Sequence, residues 1–446
     1  MREVLSRPHL HALAVSSGFC QRASKLSPEV FFDLMFYTIS HTEQGSLSYM
    51  VSLLQSNFGV TIDKQSLDER FNEKCVSFVQ SVLKEVLREQ FANLYSEKLL
   101  PDFSRIRIKD STKFMVPSNL EGHYKSCGGD VHSRSKASIS VQYEYDLKSG
   151  EITDLTITSG DRNDRTDAGE TTDNIEKDDL ILRDLGYFST PVFENCMEKG
   201  AFFLSRLDCS TNVYDALGNL ISFKDIYKLM RENGIIEKEM SVYVGSQTRL
   251  PVRLILQLVP DEVYEQRIRE KTKKSKGQGR GQLKEETKIR CRFTLFITNA
   301  EESRLPLKLT FPLYRLRWQI ELQFKSWKSV FKIGSLQKMK EHRYITLLHM
   351  KLLLIIINLQ ITNSLQQSFV QPEKDKIKVL SRDKALKTLK TLFNEIFSMI
   401  RGTNYKAKKI AQYIQDRLGE NHWLESKKEK LCLPEILQLI ICTSKK

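Results

Sequence analysis

The sequence predicts an α/β fold: a core of mixed strands and helices, interrupted by a β-rich insertion and flanked by helical N- and C-terminal regions. Three observations carry this. Apolar residues follow the helical period through the first hundred residues. The pattern then switches to period-two alternation, with aspartates closing two of the strands. A strongly helical stretch rich in aromatic and basic residues returns after residue 300.

In the first region Leu47, Met50, Val51, Leu54 and Phe58 share a helix face, and Gly59 breaks the pattern. Ser66 and Glu69 have capping-box spacing ahead of a second amphipathic stretch through Phe71, Cys75, Phe78, Val82 and Val86. Helix, short turn, helix is the shape of a helix-turn-helix DNA reader, or of an ordinary helical hairpin. After Pro101-Asp102, Ile106 and Ile108 alternate with arginine and lysine in a strand expected to end at Asp110. Ser138 to Tyr145 and Ile152 to Thr158 pair around a Lys148-Ser149-Gly150 turn. A polar helix is expected over 166–175. A buried strand, Leu180-Ile181-Leu182, then ends at Asp184, with Gly186 freeing the chain to turn. Three strands, a helix and a fourth strand, with acids closing the first and fourth, form the order of an RNase H-like core.

From 190 to 300 the chain turns β-rich again, with strands at Val242–Gly245, Val252–Leu258 and Arg292–Ile297. Within it, Lys271 to Lys284 holds six basic residues and no acid. This stretch is expected to be a solvated, mobile loop that can lie along a phosphate backbone, through Lys273, Lys274, Lys276 and Arg280. A helix is expected over 313–331 and another over 344–364; from Pro372 onward the chain reads as helical, polar and basic. The expected regions are 1–100, helical and DNA-binding; 101–189, the first part of the core; 190–300, the insertion; 301–370, the second part of the core; and 371–446, helical.

Composition narrows the function. The net charge of +14 over 446 residues suggests a polyanionic partner, DNA or RNA first. The eight cysteines are scattered with no Cys-x-x-Cys pair, which argues against a zinc or disulfide framework and fits thiols in a reducing cytosol. No secretory leader is visible. The apolar run Leu352–Leu359 is too short to span a bilayer and reads as a buried core helix. No Gly-x-x-x-x-Gly-Lys phosphate loop is present, so ATP use is not expected. Asp161, Asp164 and Asp167 read as a turn with capping roles rather than a calcium loop. His123, Cys127 and His132 lack the paired spacing of zinc sites.

The segment from Tyr314 to Lys328 carries the chemistry. As one helix at about 100° per residue, it aligns positions 314, 321 and 328, with Arg317 close to that line. One face then shows tyrosine, arginine, glutamate and lysine. Glu321 could hold a metal while Lys328, roughly 10 Å along the axis, reaches a phosphate. Arg317 would orient the glutamate or meet a phosphate itself. Trp318, Ile320, Phe324 and Trp327 are expected to pack the remaining faces. A plain Arg317–Glu321 surface pair is the bland alternative.

Tyr314, Arg317, Glu321 and Lys328 match, without a gap, the signature of the insertion-sequence-four family of bacterial transposases. The contexts Ile-Lys-Asp110-Ser-Thr and Arg-Asp184-Leu-Gly-Tyr-Phe resemble that family too, as do Tyr145–Gly150, Phe203–Arg206 and Ile297–Asn299. The resemblance covers roughly residues 40–365. It implies a catalytic and metal-binding triad of Asp110, Asp184 and Glu321, spaced by 74 and 137 residues. The long second interval is similar to members that carry a β-rich insertion there. Also implied are two Mg²⁺ ions, with Mn²⁺ able to substitute, acting on DNA strand cleavage and joining. Tyr314, Arg317 and Lys328 are implied DNA contacts. The implied partners are transposon terminal inverted repeats, target DNA and a second copy of the chain in a synaptic dimer. A bacterial cytoplasm, at the nucleoid and away from membranes, is the implied place. Some members stack a flipped base on a tryptophan in the insertion; Trp318, Trp327 and Trp423 all lie outside the 190–300 insertion. The alternative is a catalytically inactive DNA-binding protein derived from a transposase.

Overall fold

The computed structural model describes residues 2–41, 45–88, 99–127, 136–208, 210–277, 282–369, 379–424 and 433–443. His132, Cys209, Arg280 and Cys432 lie outside them. Helices α1 (Arg7–Ser16), α2 (Pro28–His41), α3 (Leu47–Phe58), α4 (Lys64–Glu69) and α5 (Glu73–Arg88) come first. Strands β1 (Arg105–Met115), β2 (Ser138–Asp146) and β3 (Ile152–Ser159) follow, then α6 (Asp164–Glu170), β4 (Asp179–Arg183), α7 (Thr190–Glu198) and β5 (Phe202–Arg206). Next are β6 (Val213–Tyr214), α8 (Phe223–Glu232), β7 (Glu237–Val244), β8 (Leu250–Leu258), α9 (Asp261–Gly277), α10 (Glu285–Arg290) and β9 (Phe293–Thr298). The chain ends in α11 (Leu307–Arg315), α12 (Trp318–Ser329), α13 (Glu341–Phe369), α14 (Arg382–Thr391), α15 (Phe393–Arg401), α16 (Asn404–Asn421) and α17 (Leu433–Thr443).

Two compact units share this chain. The first comprises Met1–Ser96, Ser111–Arg162 and Trp318–Leu439; the second comprises Glu97–Asp110, Asn163–Arg317 and Ile440–Lys446. β1 thus contributes to both, changing units after Asp110.

In the first unit α5 packs along α13. The α5 stripe of Cys75, Phe78, Val82 and Val86 is fully buried, as its period requires. Burial pushes the Cys75 thiol up to about 12, so it is an inert core group. Gly59, at φ +64°, closes α3 in the left-handed region. The cap of α4 differs from expectation: Asp63, not Ser66, is the N-cap and accepts the Ser66 amide at 2.8 Å. The apolar run 352–359 lies within α13, whose 29 residues are long enough to cross a bilayer; the side chains of 352–359 are nonetheless buried inside this unit.

β2 and β3 pair antiparallel, with Ile139 opposite Ser159. Their turn follows from Asp146, whose carboxylate accepts the Lys148 and Ser149 amides at 3.1 and 2.9 Å, and from Gly150 at φ +78°. Ile139, Val141 and Tyr143 face one side as expected, yet Ser140, Gln142 and Glu144 on the other side are equally buried. α12 packs on β2 through Tyr143, whose ring meets Trp327 at 4.9 Å and whose hydroxyl donates to Gln323 Oε1 at 2.9 Å.

The second unit is built on strands in the order β1-β4-β5-β9-β8-β7-β6, and the first on β3-β2-β1. β1, β4 and β5 run parallel; β5-β9, β9-β8, β8-β7 and β7-β6 are antiparallel. The β-rich stretch after Thr190 therefore continues one sheet edge to edge, starting with β5 against β4. Phe203, Leu254, Ile297 and their neighbours form the core beneath it. Lys271 to Gly277, expected in a mobile loop, form the end of helix α9. Asp261 and Glu262 near its start and lysines near its end suit the helix dipole.

Candidate active site

β1 does not end at Asp110 but runs five residues further to Met115. Its polar side is not exposed either. Arg107 and Lys109 are fully buried, Arg107 on Asp179 at 3.1 Å and Lys109 on Asp167 at 2.5 Å and Thr171 at 2.9 Å. Buried cations of this kind persist only when paired and hydrogen-bonded. They fix β1 on both sides of Ile108 and so fix where Asp110 stands. Asp167 is thus a charge partner of β1; the cap of α6 is Asn163, which accepts the Arg165 amide at 2.9 Å.

Ile108 pairs with Leu182 in the parallel β1–β4 register. Two residues on stand Asp110, within β1, and Asp184, just past the end of β4. Asp184 directly follows β4 and opens a 3₁₀ turn, Leu185–Tyr187. Gly186 adopts no positive φ, so this turn does not use glycine's special freedom.

Two side chains close over the aspartates. The Tyr314 hydroxyl donates to Asp184 Oδ1 at 3.0 Å, with the Arg183 carbonyl at 3.3 Å, and its ring packs on Phe296 at 4.5 Å. Arg317 Nη1 donates to Asp110 Oδ2 at 3.0 Å, and its Nη2 lies 3.8 Å from Asp184 Oδ2. Burial first, and then the charge of Asp184, hold the Tyr314 phenol well above the usual tyrosine range. It stays a protonated donor. Arg206, at the end of β5, is close enough to oppose that shift.

The expected continuous helix over 313–331 is broken. α11 ends at Arg315, and Leu316 and Arg317 form a tight turn through amide bonds to Leu313 and Tyr314 at 3.0 and 3.1 Å. Tyr314 therefore lies in α11, and Arg317 in the turn that follows it. Glu321 and Lys328 do share one face of α12, in the first unit, with Glu321 half-buried. Lys328 Nζ donates to the Lys113 carbonyl of β1 at 3.0 Å, and partial burial lowers its pKa. Ile320, Phe324 and Trp327 are buried as expected, whereas Trp318 is 57% exposed.

The structure thus brings Asp110, Asp184, Tyr314 and Arg317 together in the second unit. Lys273, Lys274 and Lys276 are exposed on α9. His123 pairs with Glu341 at 3.1 Å, and the Cys127 thiol donates to the Gly160 carbonyl at 2.9 Å. Among the described residues no three His, Cys, Asp or Glu side chains are grouped to hold a metal ion. The aspartate oxygens are hard donors of the kind divalent cations take. By chemistry they suit such an ion, and the Arg317 guanidinium is a cation that faces both.

Comparison with known proteins agrees with this chemistry. The family described as "Transposase DDE domain" matches residues 101–359, more than half of the chain. The chain is 28% identical over 448 residues to the transposase for insertion sequence element IS231F of Bacillus thuringiensis subsp. israelensis, covering 96% of this chain and 92% of that one. It is 26% identical over 423 residues to the transposase for IS1151 of Clostridium perfringens, covering 91% and 88%. A solved piggyBac transposase synaptic complex with hairpin DNA is similar at 10% identity and a TM-score of 0.42, over 97% of this chain and 86% of that one, a likeness too slight to bear on the fold. The chain belongs to the family of transposases built on a DDE domain.

Proposed function

We propose that the chain is a cut-and-paste DNA transposase that cleaves DNA at the ends of its own element and joins them to target DNA, with Asp110, Asp184 and Glu321 as its three acids. The observation that carries this is the Asp110–Asp184 pair, two residues beyond the Ile108–Leu182 pairing of parallel neighbours β1 and β4, in a chain of this family. The strand orders β3-β2-β1 and β1-β4-β5, antiparallel in the β2–β3 pair and parallel in the second set, support an RNase H-like core.

Asp110 and Asp184, with Glu321, would hold divalent cations, two Mg²⁺ in this reading. Such ions supply the activated oxygen nucleophile and stabilise the leaving oxygen in phosphodiester transfer. The chain's own residues do the rest. Buried pairs on Arg107 and Lys109 hold β1 in place. Tyr314 holds the Asp184 carboxylate in one rotamer. Arg317 balances the charge of the aspartates. Lys328 and the lysines of α9 meet DNA phosphates, as does the exposed side of α5 in a DNA-binding region over 1–100. Two element ends must be joined at once, so a dimer is the working species.

The test is cleavage of a short linear DNA carrying the element's own end, in Mg²⁺ or EDTA, by the wild type and by Asp184→Ala. Nicking at the boundary that needs both Mg²⁺ and Asp184 is the expected result. Binding without any cut, in Mg²⁺ and Mn²⁺ alike, would replace this reading with that of a DNA-binding relic.

A further inference from the structure

Arg317 stands where a cation belongs. One prong of its guanidinium is on Asp110 Oδ2 at 3.0 Å, and the other is 3.8 Å from Asp184 Oδ2. The remaining oxygen of Asp184 is held by Tyr314 at 3.0 Å. All three members of the cluster are partly sheltered, with side-chain exposures of 11% for Arg317, 21% for Asp110 and 35% for Asp184. Charges sheltered to this degree act on one another more strongly than those on an open surface. Two carboxylates this close repel, and the guanidinium between them offsets that repulsion.

A divalent ion and the guanidinium need the same carboxylate oxygens. We infer that Arg317 is a resident counter-ion of the Asp110–Asp184 pair, and that it must leave before the pair can take a divalent cation. The idea rests on the metal-binding reading of these aspartates. Arg317 lies in the tight turn that follows α11. A guanidinium is also the side chain best matched to a phosphate, which offers it two oxygens in one plane. DNA that draws Arg317 away therefore clears the carboxylates for metal, and metal that displaces Arg317 readies it for DNA. By linkage the two effects are equal.

Mn²⁺ binding, followed by the electron paramagnetic resonance of free Mn²⁺ at pH 8 without DNA, tests this independently of catalysis. Arg317→Gln should bind Mn²⁺ roughly tenfold more tightly than the wild type, within the range usual for coupled sites. Arg317→Lys, which keeps the charge but loses the fork, should fall between them and guards against a misfolded glutamine variant. The gain should vanish when Asp184→Asn is added to Arg317→Gln. End DNA should tighten Mn²⁺ binding by the wild type and have much less effect on Arg317→Gln. Equal or weaker Mn²⁺ binding by both Arg317 variants, with Asp184→Asn still abolishing it, overturns the counter-ion role and leaves the metal reading standing. Mn²⁺ binding that ignores Asp184→Asn in every background sinks the metal reading and the counter-ion role with it.

Discussion

Burial and the neighbouring Asp184 charge raise the Tyr314 phenol above its ordinary value of 10.0. In the unfolded chain that phenol ionises first. The stability it contributes is therefore complete below pH 10 and is lost as the pH climbs from there towards its folded pKa. Tyr314→Phe should lower the unfolding free energy from urea melts at pH 8 by about 1 kcal/mol for the lost hydrogen bond. It should also lose less than the wild type between pH 9 and about 11; parallel losses would mean that neither burial nor Asp184 raises the phenol. Asp167 gives a second prediction at this scale. Removing it leaves the Lys109 ammonium buried with a lost partner. Asp167→Ala should cost about 3–5 kcal/mol in unfolding measurements, and adding Lys109→Met should recover much of that. A loss of under about 1 kcal/mol would show the pair to be incidental. Asp184 was legible as a strand-end acid because it directly follows the apolar strand β4, whereas β1 runs past Asp110 to Met115. The pairing of Lys109 and Asp167 was not legible. Alternating charge along β1 reads like a strand with one wet face, and nothing local says that the partner lies on α6.

The same divide between local and distant information governs the elements. α5 was legible because its buried stripe recurs at the helical period. The break between α11 and α12 was not, since neither Leu316 nor Arg317 is a breaker. It comes from two tight amide bonds that tertiary packing selects, against the preference of 313–331 for one helix. The lysine-rich end of α9 was misread in the opposite direction: glycines and glutamines beyond residue 276 made the whole stretch look like a loop, although the helix runs through Gly277. α5 itself can be tested on both sides. Phe78→Ala should cost about 3–5 kcal/mol, because Phe78 is fully buried. Lys74, Lys84 and Arg88 occupy the exposed side. Changing these three to glutamine should leave the unfolding midpoint within about 0.5 kcal/mol and weaken binding to end DNA in gel shifts. Full binding by that triple variant would remove α5 from the DNA-reading surface.

At the scale of the molecule, strand partners were the least legible feature. The strands after Thr190 were visible as strands, but which edge they join depends on contacts far apart in sequence. Their continuation of the β1-β4-β5 edge follows from β5 pairing with both β4 and β9. The net charge of +14 was legible at once, yet charge count does not say which cations touch phosphate. The buried Arg107 and Lys109 contribute to that count and cannot reach DNA, being spent on Asp179 and Asp167. Lys273, Lys274 and Lys276 can, because they are exposed together on the C-terminal end of α9. Each phosphate contact releases a condensed counter-ion and adds about 0.9 to the slope of log K against log salt on duplex DNA. Replacing these three lysines by glutamine should therefore flatten that slope by roughly 2–3, for end DNA and random DNA alike, since phosphates carry no sequence. A slope within about 0.5 of the wild type would mean that the α9 lysines only face solvent. A loss confined to end DNA would instead assign α9 to the reading of bases, which lysines facing phosphates cannot do.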